Sequence, residues 1–226
     1  MSGCKRNSGE RSNSYSESKF TNWSQYNPFD LEISSLPNCL KPEASIEIES
    51  TLISIYVRDL HPGFIHPVRI EDVRELLNKV PPNFLDHLCE IYLLGGTSKQ
   101  LKASKKHFRY GCYESGKIYL YAFPRWMMME QWGNRPKPTT IKEYERMGAK
   151  WTQRDSGWWL EFDRSSLRRF YLYDVFLHEL GHHVDRRRWK RDTESAERYA
   201  EWFAQEYAQM ITQSWNESEV SSGSQR

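Results

Sequence analysis

From Ser165 to Arg187 the chain contains no proline and a single glycine, and within it the run FYLYDVFL (170–177) is apolar nearly all round. A helix that is apolar on most faces has to be wrapped by other elements. This segment therefore predicts a helix inside the fold, capped at its start by Ser165 or Ser166. After RRRWKRD (186–192), a second helix is expected over about 193–215. Its Ala196, Tyr199, Ala200, Phe203, Tyr207 and Met210 make an apolar stripe.

The elements that would wrap these helices lie upstream. RIEDVRELLNKV sets Val73, Leu76, Leu77 and Val80 at helical spacing, and Pro81-Pro82 stops the helix. LCEIYLLGG reads as a buried strand ended by two glycines. HFRYGCY and KIYLYAF flank Glu114-Ser115-Gly116 as a hairpin, and AKWTQ and WWLEF flank RDSG as a second. TLISIYVRDL fits either a strand or a helix. Strands first and two helices last give an α+β domain, with a small mixed sheet packed on the helix pair.

Composition sets the boundaries of that domain. Residues 1–45 are rich in Ser, Asn, Lys and Glu and predict a disordered N-terminal tail; the domain spans 46–215, and 216–226 reads as a second tail. With 38% hydrophobic residues but nine Trp, the chain matches an aromatic-rich core between polar flanks. A net charge of +2 is too small to announce a nucleic-acid or membrane partner. The four cysteines, at 4, 39, 89 and 112, form no CxxC pair. The start lacks an apolar h-region and no run is long enough to span a bilayer, so a soluble, reduced, cytoplasmic protein is expected.

The buried helix carries chemistry. Within FLHELGHHVD, His178 and His182 are one turn apart on one face, a spacing that lets two imidazoles reach one zinc ion. Glu179 is rotated about 100° from His178, so it lies beside the ion rather than on it. Leu177 and Leu180 anchor the helix, while Gly181 lets another backbone or a substrate come close. A catalytic zinc needs a third protein ligand and an open position. Six residues after His182 stands Arg188, so a third histidine at that spacing is absent. Asp185 shares the histidine face as a candidate ligand or outer-shell acceptor. The better source is the second helix, where Glu194, Glu197 and Glu201 share one edge. Glu194 reads as solvated, and Glu197 and Glu201 read as a packed, inward-facing pair. His183 points about 100° away from His182 and reads as a packing or surface residue.

HELGHHVD followed by ERYAEWFA resembles the gluzincin metallopeptidases, in particular small ImmA/IrrE-like and lethal-factor-like catalytic domains. The resemblance covers about residues 175–208. It implies a zincin-like fold, zinc ligands His178, His182 and Glu197, and Glu179 as general base. It further implies Glu201 as the carboxylate that orients a ligand histidine and Asp185 as a second supporting acid. The implied activity is hydrolysis of protein or peptide substrates, with the substrate extended along an edge strand, for which GKIYLYAF (116–123) is the candidate; the same run fits an internal strand equally well. The rival reading is a binding protein on the same scaffold that contacts nucleic acid through the basic run 186–191.

Overall fold

In the computed structural model, residues 28–37, 40–104, 108–132, 134–185 and 193–223 are described. Strands β1 (Ala44–Ile48), β2 (Thr51–Val57), β3 (Phe64–Ile65) and β4 (Glu90–Leu93) are followed by β5 (Gly111–Glu114), β6 (Lys117–Leu120) and β7 (Phe123–Pro124). The main sheet has the order β1-β2-β4-β6-β5, and β3 pairs with β7 apart from it. Strands β2, β4 and β6 are parallel to one another, while β1 and β5 run antiparallel at the two edges. The ambiguous TLISIYV run is thus a strand. Its Ile53 and Ile55 are buried while Leu52 is exposed, the alternation of a sheet with one face on the core.

The first hairpin forms as expected. Its two-residue loop is Ser115-Gly116, both at positive φ, the conformation that matches a tight turn to strand twist. The second hairpin joins β9 (Lys150–Arg154) to β10 (Gly157–Glu161). With β8 (Met128–Trp132) it makes a separate three-stranded sheet, β8-β10-β9. Of the short helices, α1 is Pro28–Ser34, α2 is Ile70–Leu77, α3 is Ser98–Ala103 and α4 is Pro138–Glu145. As predicted, α2 buries Val73, Leu76 and Leu77, and Val80 follows them into the core.

The long helix begins earlier than its serines suggest. Asp163 is the N-cap: its Oδ1 accepts from the Ser166 backbone N–H at 2.7 Å, and Ser166 Oγ accepts from the Asp163 N–H at 2.9 Å. Ser166 is therefore the other half of a capping box. The helix then runs as α5 (Arg164–Phe170), a π-helical stretch (Tyr171–Phe176) and α6 (Leu177–Val184). Tyr171, Phe176, Leu177 and Leu180 are fully buried, and they share the core with Ile53, Ile55, Ile91 and Ile118 of the sheet. The last helix, α7 (Thr193–Gly223), extends past residue 215 into the expected C-terminal tail. Ala208 and Ile211 continue its buried stripe, and Met210 is 57% exposed, so the stripe departs there from the expected one.

The packed structure also starts before residue 46. Phe29 of α1 is buried edge-on against Phe108 and Tyr121. Glu32 accepts hydrogen bonds from the Gly95 and Gly96 backbone amides and from Gln100 Nε2. These contacts place α1 on the sheet face opposite the long helix, where Tyr56, Tyr92 and Tyr119 stack across three adjacent strands at 4.6 and 4.9 Å. Among the described residues no helix is long and apolar enough to cross a membrane. The basic run 186–191 and Cys39 lie outside the described residues.

Candidate metal centre

Helical phase brings the two histidines together. His178 Nε2 and His182 Nε2 are 3.1 Å apart, and Glu197 of α7 reaches both, Oε2 at 3.3 Å from His178 and Oε1 at 3.5 Å from His182. Ligands at about 2.0–2.1 Å on the corners of a tetrahedron stand about 3.3–3.4 Å from one another. The spacing of the two imidazoles is close to that edge length and a Glu197 oxygen lies beside each of them, so the three side chains are a donor set of the kind zinc takes. Among the described residues it is the one group of His, Cys, Asp and Glu side chains close enough to share an ion.

The approach of α7 depends on Gly181. A Cβ there would lie 2.8 Å from Ala200 Cα and 3.2 Å from the Ala200 carbonyl oxygen. Ala196, Ala200 and Ala204 supply the matching small face, all of them buried. Of the two partners foreseen for Gly181, a second backbone is the one found. Glu197 sits one turn before Ala200 and is carried to the histidines by this close crossing.

Electrostatics within the triad are strong. Burial opposes ionisation of Glu197, yet hydrogen bonds to His178 and His182 and their charges outweigh it and hold the carboxyl at about 2. Burial likewise lowers the His182 pKa, and the Glu197 hydrogen bond with the charges of Glu179, Glu197 and Asp185 raises it on balance. Nδ1 of His182 is buried with no hydrogen-bond partner among the described residues. Asp185 is the residue that ends α6 and is buried; Glu201 is half-buried one turn beyond Glu197. Glu194 is at the surface, paired with Arg198 at 2.9 Å, as its solvated reading expects.

Glu179 is 6% exposed and lies under the first residue of β5. A Cβ on Gly111 would be 2.8 Å from Glu179 Oε1 and 2.8 Å from Val175 Cγ1. Of the two readings of KIYLYAF, edge strand and internal strand, the internal one is found. KIYLYAF contributes β6, which is paired on both sides, and the sheet's edge is β5. Strand β5 is fixed to the helix by His183, a packing residue only 2% exposed. His183 Nε2 donates to the Asp86 carbonyl at 3.0 Å, which leaves Nδ1 to accept from Tyr113 Oη at 3.1 Å. Tyr113 Oη in turn accepts from the Gly116 N–H.

Two other imidazoles among the described residues are engaged elsewhere. His61 bonds Ser98 and His66 bonds the Arg58 carbonyl. Cys112 lies on β5 facing the tyrosine layer, and burial pushes its thiol up to about 12. No protein-family model, curated protein or solved structure matches this chain.

Proposed function

We propose that this chain is a zinc-dependent peptidase of the gluzincin type, with a zincin-like arrangement of sheet, site helix and ligand helix. The observation that carries the reading is the convergence of His178, His182 and Glu197, whose donor atoms approach one another at 3.1, 3.3 and 3.5 Å, with Glu179 beneath a sheet edge. His178, His182 and Glu197 would hold the ion. When bound, zinc with three protein ligands supplies Lewis acidity, which acidifies water to a pKa of about 7 and polarises a carbonyl.

The chain's own residues do the rest. Glu179 takes the proton from the attacking water and returns it to the leaving amine. Its burial against Gly111 fixes the carboxylate, so that little reorganisation precedes the transfer. The edge of β5, unpaired among the described residues, offers backbone amides and carbonyls to an extended peptide, which adds as a further strand. Asp185 and Glu201 are the acids available to orient the ligand side chains.

The test has two arms. Metal content per chain is measured by mass spectrometry on purified wild type and Glu197→Ala; near one zinc in wild type, lost in the variant, is expected. Cleavage of an unfolded protein should disappear on chelation and in Glu179→Gln, which should still bind zinc. Wild-type protein that takes up no zinc after supplementation would end the proposal.

A further inference from the structure

Three contacts fix how β5 lies along the site helix. Gly111 sits over Val175 and Glu179, and Tyr113 reaches His183. Strand and helix therefore advance in the same direction. Val175, Glu179 and His183 form the helix stripe beneath β5, whereas Gly181 faces α7. Between these two faces runs a stripe of Asp174, His178 and His182, with side chains 12%, 15% and 8% exposed.

Asp174 is thus in line with the histidines, one turn toward the start of the helix. Arg146, directly after α4, donates from Nη2 to Asp174 Oδ1 at 3.1 Å. Among the described residues Asp174 is the one ion-pair partner of the Arg146 side chain, which remains 36% exposed. A guanidinium has five N–H donors. One contact to Asp174 leaves donors of an exposed guanidinium uncommitted at the end of the stripe that carries the histidines. Simple neutralisation of Asp174 explains the pair but not a half-open guanidinium at the end of this stripe.

Resting on the peptidase reading, we propose that Arg146 selects peptides carrying a carboxylate about two residues from the scissile bond, on its C-terminal side. The spacing follows from the geometry. One helical turn is about 5–6 Å, and an extended peptide rises about 3.3 Å per residue. The side follows from pairing: a strand added antiparallel to β5, the more stable ladder, runs from His182 toward Asp174. Arg is suited to the task because its planar fork matches a carboxylate.

The deciding experiment uses the full chain in chelator, so that nothing is cleaved. Fluorescein-labelled random decapeptide pools are compared by anisotropy, one with Asp or Glu fixed at one position, another with Lys or Arg there. The acidic pool should bind at least tenfold tighter. Arg146→Ala should bring the ratio within twofold, Arg146→Lys should retain part of it, and Arg146→Glu should invert it. Arg198→Ala, at an exposed surface pair, should leave it unchanged. Pools with free or amidated C-termini separate a terminal carboxylate from a side chain. An equal affinity for both pools, or a preference that survives Arg146→Ala, overturns the assignment. Loss of the peptidase reading registers elsewhere, as zinc-loaded protein that cleaves nothing. Where cleavage occurs, mapped cut sites should carry Asp or Glu at the second position after the cut.

Discussion

Substituting Gly181 with alanine separates the packing of the site from its chemistry. The added Cβ would stand 2.8 Å from Ala200 Cα and 3.2 Å from Phe203 Cβ. Carbon atoms are comfortable at about 3.5–4.0 Å, so α6 and α7 must part by roughly 0.7 Å or more. Overpacking of this kind costs about 1–3 kcal/mol, and alanine regains about 0.8–1.0 kcal/mol of helix propensity. The metal-free variant should therefore lose only about 1 kcal/mol in a urea titration. Zinc affinity should suffer more. Glu197 already spans 3.3 and 3.5 Å to the histidines, and moving its helix outward lengthens both reaches. A loss of tenfold or more in a chelator-competition titration is expected, about 1.4 kcal/mol. Adding Ala200→Gly should not rescue binding, because the nearest obstructions are the Ala200 Cα and carbonyl rather than its methyl. A Gly181→Ala protein with wild-type zinc affinity would refute the claim that this crossing sets the position of Glu197.

Other expectations follow from the same contacts. Gly111→Ala would drive a methyl into Glu179 and Val175, so turnover should fall at least tenfold with zinc stoichiometry unchanged, read by kinetics beside metal analysis. In metal-free protein, Glu197 has a lowered pKa, so its contribution to stability is complete above about pH 4.5 and is lost as pH falls toward about 2. His182 is raised, so its contribution is present below its ordinary value of 6.5 and is lost as pH climbs through the raised one. Thermal melts of chelated protein should accordingly show the pair stabilising most between about pH 4.5 and 6.5, an advantage absent from Glu197→Gln. Phe29→Ala should cost about 3–5 kcal/mol, as for other buried phenylalanines; a loss under 1 kcal/mol by urea unfolding would show that α1 is not part of the cooperative fold.

What the sequence disclosed depends on the distance over which each interaction is encoded. His178, Glu179 and His182 are legible because helical phase alone decides which side chains share a face. Glu197 is legible because an acid among Ala196, Ala200 and Phe203 reads as inward-facing on a helix that must pack nearby. Glu32 shows no such signal: its partners are two backbone amides and the Gln100 side chain, 63, 64 and 68 residues further on, and neither composition nor periodicity marks an amide as waiting for a carboxylate. The same limit hid Arg146, whose partner is 28 residues away. Which arm of the first hairpin becomes the sheet edge is likewise a matter of pairing with β4, not of local pattern, since GCYE and KIYL are both good strands. At the helix start both Asp163 and Ser166 are suitable caps, and the capping box uses them together, so composition alone misplaced the boundary by a few residues.

The π-helical stretch at Tyr171–Phe176 has a consequence for how the site tolerates change in chain length. A π segment accommodates about one residue more than an α-helix needs to cover the same rotation. The long helix thus carries slack just upstream of its ligands. Excising one residue from 171–176 would let the stretch tighten into ordinary helix, with the capped end and the histidine end still facing as they do now. Excising one between His178 and His182 has no such reserve: everything beyond the cut swings by about 100°, and the two imidazoles no longer face one ion. A one-residue deletion is therefore absorbed within the stretch before Leu177 and ruinous between the histidines after it.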